Sequence, residues 1–361
     1  MNRRLQVPKT TIYEGLKENA LFIDVRSPKE FEEFQIPGAM NIPLFNNEER
    51  IQIGTIYKQE GKEQAKDLGI KILSTKLPQL YDYFKNVHQN NKNKSLIIYC
   101  WRGGMRSFSI VSVMSMMGLP VMQLTGGIRS FRRIVVSSFE EHINTSKKFI
   151  VLEGLTGTRK TEILDELEKE GYPVINIEGI ANHRGSVFGG IGLSPVTQKE
   201  FEARLWSRLE ELKDSPYFII EAESKRIGNL IVPHLILTGK EAGFRIHIDA
   251  DMNFRVHTIC KTYSFEKFHN EFRDALLVLK KRIPNELFSY ILASFDNRDY
   301  PNFVLLILKE YYDPSYKHSF NQRKEKSINI HITSLAEGVD LVKQKITDIQ
   351  ESFLDQDNVS F

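Results

Sequence analysis

Short apolar runs alternate with polar or amphipathic segments along most of the chain. Ala20-Leu21-Phe22-Ile23-Asp24-Val25-Arg26, Asn41-Ile42-Pro43-Leu44, Leu96-Ile97-Ile98-Tyr99 and Val121-Met122-Gln123-Leu124 each read as a short strand. Helical patterns lie between them. Ser27 is a good N-cap with Pro28 at N1 and Glu30 at N3. Asn46 to Gly69 is polar and helical, Pro78 to Asn86 is amphipathic, and Ser107 to Met117 has helical spacing. The pattern then restarts. Phe149-Ile150-Val151-Leu152 is a new buried strand and Glu162 to Glu170 a helix. Tyr217-Phe218-Ile219-Ile220 is another strand, and residues from about 265 onward are mostly helical. Such alternation predicts parallel α/β sheets. It divides the chain into a domain over residues 1–139, a polar linker over 140–148, and a second α/β domain over 149–361 with a helical C-terminal region.

A length of 361 residues suits two such domains. The net charge of +3 means that any nucleic-acid binding relies on local basic patches and not on bulk charge. Two cysteines, Cys100 and Cys260, argue against a disulfide scaffold and for a reducing cytoplasm. Met1-Asn2-Arg3-Arg4 is basic but no apolar signal core follows it, and the longest apolar stretch, around Ile110 to Met122, is too short to span a bilayer. A cytoplasmic protein without a membrane partner is expected.

The chemistry concentrates in two loops. The strand ending at Tyr99 delivers Cys100 into Trp101-Arg102-Gly103-Gly104-Met105-Arg106-Ser107 and straight into a helix. Adjacent glycines let several N–H groups point at one spot. Those amides, the helix N-terminus, Arg102 and Arg106 favour a thiolate that handles anions. In the second domain a strand runs into Gly154-Leu155-Thr156-Gly157-Thr158-Arg159-Lys160-Thr161 and a helix, the context of a phosphate-binding P-loop. Gly154, Thr156 and Gly157 would cradle phosphate, Lys160 would reach its terminal oxygens, and Thr161 could hold Mg²⁺. Arg159 stands where glycine is favoured, because the backbone there needs a conformation that side chains resist. Glu221 and Glu223, after the Tyr217–Ile220 run, sit where a carboxylate could contact Mg²⁺ or water. His183, Arg184 and Ser186 lie in a Gly-rich loop suited to anion or base contacts. Arg129, Arg132, Arg133, Lys147 and Lys148 form a basic stretch, to which Lys225-Arg226, Lys280-Lys281-Arg282 and Arg323-Lys324 add; together they could grip nucleic-acid phosphates. Tyr311, Tyr312 and Tyr316 could stack on bases. Cys260 reads as core, and no Cys/His spacing of a metal site appears.

Asp24-Val25-Arg26-Ser27-Pro28-x-Glu30-Phe31 with Ile36-Pro37-Gly38-Ala39-x-Asn41-Ile42-Pro43 resembles the rhodanese domain. That resemblance implies a persulfide or comparable chalcogen adduct on Cys100 and structural roles for Asp24 and Arg26. The loop is one residue longer than in many rhodaneses, and Cys-x-x-Gly-x-x-Arg-Ser also matches the cysteine phosphatase signature. The longer loop suits a tetrahedral, phosphate-like group. Taken with Gly-x-Thr-Gly-x-x-Lys-Thr, Glu-Gly-x-Ala-Asn-His-Arg-Gly-Ser, Glu-x-Glu-Ser-x-x-Ile-Gly and Tyr-Tyr-Asp-Pro, the chain is similar over nearly its full length to the tRNA 2-selenouridine synthase family. The family implies a rhodanese-like domain fused to a P-loop domain. It implies replacement of sulfur by selenium in wobble 2-thiouridine of the tRNA anticodon loop. Selenophosphate would be the small-molecule selenium donor and geranyl diphosphate a co-substrate forming an S-geranylated intermediate, with no tightly bound cofactor. A plain sulfurtransferase, a cysteine phosphatase acting on a small anion, and a non-catalytic tRNA- or nucleotide-binding protein are the competing readings.

Overall fold

The computed structural model describes residues 6–142, 147–315 and 327–358. The basic start of the chain, part of the expected linker, Tyr316, Arg323 and Lys324 lie outside the described residues. Two compact units emerge: one holds residues up to Glu140 together with Thr197–Ser207, the other Glu141–Val196 and everything from Arg208. The segment Thr197–Ser207 is thus distant in sequence from the unit it packs in. Trp206 sets its ring edge-on against Phe131, with centroids 5.2 Å apart, and Glu202 pairs with Arg132.

The first unit is built on five parallel strands: β1 (Lys9–Thr10), β2 (Leu21–Asp24), β3 (Met40–Asn41), β4 (Leu96–Tyr99) and β5 (Val121–Leu124). Their order is β1-β5-β4-β2-β3, so β4 is central and buried at every position. All strands being parallel, their C-terminal ends share one edge, where sites form in such sheets. Just past β2, Asp24 and Arg26 form a fully buried pair at 2.6 Å, and Arg26 also donates to the Phe34 carbonyl. Ser27 and Glu30 close the expected capping box over helix Pro28–Glu33.

Helix boundaries depart from the pattern in places. The polar segment from Asn46 is two helices, Asn47–Gln59 and Lys62–Asn90, separated by Gly61 at φ +113°. Pro78 does not start a helix but lies inside the second one. Leu73, Leu80 and Phe84 are buried on its inner face. That packing outweighs the ~3 kcal/mol a helical proline costs. The helix after Cys100 is Met105–Met116, starting two residues before Ser107. Around the linker, one helix continues to His142 and the next strand begins at Lys148.

The second unit holds another parallel sheet: β6 (Lys148–Gly154), β7 (Val174–Ile175), β8 (Tyr217–Glu221), β11 (Phe244–Asp249) and β12 (Ile328–His331), in the order β12-β11-β6-β8-β7. A separate antiparallel hairpin is made by β9 (Arg226–Ile227) and β10 (Leu230–Ile231). Among the described residues the C-terminal region is mostly helical and holds one strand, β12, which the pattern did not separate from its surroundings. Ile-Asn-Ile-His is too short for periodicity to register, and it is a strand because the edge of β11 offers it a ladder. Between β11 and β12, helices pack a cluster of aromatic rings that includes Phe188, Phe265, Phe272, Phe295 and Phe303. Among the described residues no helix is long and apolar enough to cross a membrane.

Candidate active site

In the first unit the end of β4 places Cys100 in a buried position at the start of a tight loop. Gly103 takes φ +65° and Gly104 caps helix Met105–Met116. The loop is clasped from below by Gly127 (φ +59°), where an added Cβ would lie 2.3 Å from the Cys100 carbonyl and 2.5 Å from the Gly103 amide. Only glycine fits there. Ile128 N–H donates to the Cys100 carbonyl at 2.9 Å, which fixes the turn from the other side.

The polar neighbours of the thiol are not the expected arginines. Arg106 is turned to Glu30, with contacts of 2.7 and 3.3 Å, so the residue that closes the capping box also holds the loop's last arginine. Burial would raise the Glu30 carboxyl, but its bonds to Arg106 and Ser27 hold it below the usual range. Arg102 is exposed. The group beside Cys100 Sγ is the Ser107 hydroxyl, at 3.2 Å. Ser107 in turn accepts from Gln123 of β5, a residue that sequence reading passed over because a lone Gln in an apolar strand carries no motif.

In the second unit the phosphate loop leaves the central strand β6. Arg159 has φ +61° and ψ 25°, the left-handed conformation that explains the usual glycine. The arginine holds it at a cost of about 1 kcal/mol, and its side chain pairs with Glu162 at 3.1 Å. Lys160 Nζ donates to the Gly154 and Leu155 carbonyls at 2.9 and 3.1 Å. Parallel pairing of β6 with β8 sets Leu152 opposite Glu221, which brings the end of β8 alongside the loop. Thr161 Oγ1 donates to Glu178 at 3.1 Å and reaches Glu221 at 3.4 Å. Glu178, Glu221 and Glu223 offer oxygens all within 4.8 Å of one another. Glu178 opens one of the quoted motifs but was not singled out, since a glutamate before glycine has no signal of its own.

Burial pushes all three carboxyls up, with like charge adding to Glu178 and Glu221, and Glu178 reaches about 8. Burial lowers Lys160 in turn, against the pull of the same glutamates. The consequence for stability has a definite sign. An unfolded Glu178 titrates near 4.5 and the folded one near 8, so between those values the folded state retains a proton that the unfolded chain has lost. Stability of the metal-free protein therefore falls as pH rises through that window. Glu178→Gln is expected to flatten this fall, read as melting temperature in chelator from about pH 5 to about pH 8. Equal slopes in wild type and variant would contradict it.

These groups line a cavity of about 410 Å³ with Gly154, Thr156 and Gly157 on its floor and Arg184 and Ser186 on its wall. Next to it is a narrow apolar slot lined by Phe188, Phe265, Phe272, Phe303, Ile307 and Tyr312. Cavity and slot share Thr156, Ser186, Ile259 and Tyr263. Ser186 bonds the Tyr263 hydroxyl at 3.2 Å and Arg184 lies over the same ring. His183 does not line the cavity. It accepts from Gly185 N–H through Nδ1 and packs on Gly189 and Gly228, shaping the loop. Asp313 of Tyr-Tyr-Asp-Pro pairs with buried Arg255 at 2.6 and 3.0 Å, and Arg255 Nε holds the Thr156 carbonyl at 2.8 Å. The motif thus braces the phosphate loop.

The basic and aromatic candidates are dispersed. Arg132 is engaged by Glu202, while Arg133, Lys225 and Arg226 are exposed. Tyr311 accepts from Arg282 and stacks edge-on against Tyr312, which faces the slot.

Two family models match the chain. Residues 147–345 match the family model described as the tRNA 2-selenouridine synthase AAA domain, and residues 9–134 match that of a rhodanese-like domain. A Nitrosomonas eutropha tRNA 2-selenouridine synthase is 34% identical over 246 residues, which cover 67% of this chain and 62% of that protein. The Nitrosomonas europaea protein of the same name is 28% identical over 84% of this chain and 89% of its own length. That of Hydrogenovibrio crunogenus is 29% identical over 89% and 95%. One solved structure, an N-terminal domain from Clostridium difficile 630, shares 41% identity over 36% of this chain and 98% of its own, with a TM-score of 0.34. A thiol loop on a rhodanese-like sheet, a phosphate loop on a second parallel sheet and a matched family model over more than half of the residues lead to one conclusion: the chain belongs to the tRNA 2-selenouridine synthase family.

Proposed function

We propose that this chain modifies tRNA, replacing the sulfur of wobble 2-thiouridine in the anticodon loop with selenium from selenophosphate by way of an S-geranylated tRNA. The observation that carries this reading is the joined cavity and slot of the second unit. The cavity of the phosphate loop, with its half-buried lysine, shares Thr156, Ser186, Ile259 and Tyr263 with a ring-lined apolar slot, a pairing that suits a diphosphate carrying a hydrocarbon tail. At about 30 Å³ the slot is too small for a ten-carbon chain as it stands, so this reading requires the lining rings to move when the chain enters.

In this reading the loop amides and Lys160 hold the diphosphate of geranyl diphosphate. The thiocarbonyl sulfur attacks the first prenyl carbon, a C–S bond forms, and the C–O bond to diphosphate breaks. Lys160 meets the charge that develops on the leaving oxygens. Glu178, Glu221, Glu223 and the Thr161 hydroxyl are hard oxygen donors and would hold Mg²⁺, which supplies further charge to the diphosphate. Alkylation makes the sulfur a better leaving group. The selenium of selenophosphate then adds at C2, the base carbon that bears the sulfur. A C–Se bond forms, the C–S bond breaks and geranylthiol departs with a proton, and water cleaves the P–Se bond to release phosphate and leave 2-selenouridine. The Cys100 loop, with its amides at a helix N-terminus, receives the phosphate-bearing selenium donor. Arg133, Lys225 and Arg226 are exposed cations suited to tRNA phosphates, which gives affinity that falls with salt.

Incubating the protein with thiolated tRNA plus geranyl diphosphate, selenophosphate or both, followed by nucleoside mass analysis, tests this. The expected products are S-geranyl-2-thiouridine with the first donor and 2-selenouridine with both. Persulfide transfer or phosphate release with neither nucleoside formed would overturn it.

A further inference from the structure

We propose that Gln123 is a positioning residue for Cys100, acting through the Ser107 hydroxyl. This rests on the Cys100 loop being the site that receives the selenium donor, as proposed above. Gln123 lies on β5, where its backbone pairs with Ile98, two residues before Cys100 on the neighbouring strand. It is 2% exposed, and Ser107 is fully buried. The amide nitrogen donates to the Gly103 carbonyl at 2.9 Å and to Ser107 Oγ at 3.0 Å, with the Gly104 carbonyl at 3.4 Å.

Two carbonyls on one side fix which end of the amide faces the loop, because the amide oxygen would be repelled there. Ser107 Oγ therefore receives a proton from Gln123 and must direct its own elsewhere. Its acceptors are Cys100 Sγ at 3.2 Å and the Gly104 carbonyl at 3.3 Å. An ionised sulfur is the stronger acceptor of the two, and a hydrogen bond to the charged form favours that form. The amide occupies one lone pair of the hydroxyl and leaves its proton free to be donated to the thiolate. It also ties the glycine pair of the loop to the sheet. Neither arginine of the loop supplies this contact, since Arg106 is held by Glu30.

The test reads the thiol itself. In the full chain carrying Cys260→Ala, the rate of Cys100 alkylation by iodoacetamide is followed against pH, alongside the melting temperature. Ser107→Ala is expected to raise the midpoint, read as alkylation about tenfold slower near neutrality. Gln123→Met should raise it by a smaller amount in the same direction, and Ser107→Thr should restore the wild-type profile. A Ser107→Ala profile that overlays wild type, or a Gln123→Met profile that does so in a normally folded protein, overturns the proposal. Where Gln123→Met lowers the melting temperature by more than a few degrees, the profiles are compared well below its melting transition, and an overlay with wild type there still overturns the proposal. Since no selenium is involved, shifted profiles beside an unimpaired Cys100→Ser selenation would sink the proposed role of Cys100 and leave this network standing.

Discussion

Cys100→Ser is expected to lower selenium incorporation by about 10³-fold or more, the scale of losing a group the selenium step depends on, while S-geranylation of the tRNA continues. Lys160→Ala should show the opposite order, with geranylation falling about 10²- to 10³-fold as for removal of one charge-stabilising donor. The split follows from where the two side chains sit. Cys100 follows the end of β4 in the first unit, and Lys160 opens the helix after the loop that leaves β6 in the second, each within its own hydrogen-bond network. Supplying S-geranylated tRNA directly should bypass Lys160→Ala and not Cys100→Ser. Nucleoside mass analysis of the four combinations decides. Normal selenation by Cys100→Ser would end the proposed role of the thiol, and geranylation surviving Lys160→Ala would remove the diphosphate from the phosphate loop.

Asp313→Ala is expected to be the most destabilising single change near the site. Arg255 is 2% exposed, and without Asp313 it is a buried guanidinium left with the Thr156 carbonyl alone. Removing one member of a buried pair costs about 3–5 kcal/mol. Denaturant midpoints at constant slope measure this. Arg255→Met combined with Asp313→Leu should recover much of the loss, since apolar replacement of both partners is often near neutral. The double variant would still lack the Thr156 tether, so geranylation should remain impaired even where stability returns. If stability and geranylation both survive Asp313→Ala, the pair does not brace the loop.

Several elements were legible because their signals are local. Strand–loop–helix at Cys100 and at Lys160 each shows as a switch from an apolar run to glycines and then to a 3.6-residue period. Ser27, Pro28 and Glu30 formed the capping box their identities call for. The left-handed backbone at residue 159 was readable too, from the glycine usually required there, although Arg159 adopts it nonetheless. Periodicity failed where packing overrode a breaker, as at Pro78, and where an element was too short to show a period, as at β12.

The sequence by itself determined two parallel α/β units, a cysteine and a lysine each in a strand–loop–helix unit, and a family resemblance carried by five spaced motifs. The fold alone decided which groups touch them. Arg106 faces Glu30, 76 residues away in the chain, and the thiol is left to Ser107 and Gln123. Glu178 joins Glu221 from 43 residues away, and Asp313 reaches the phosphate loop through Arg255. Main-chain geometry depends on neighbours in sequence, so motifs reveal it. Charge pairing and burial depend on neighbours in space, which parallel strands and their crossovers bring together only once the sheet has formed.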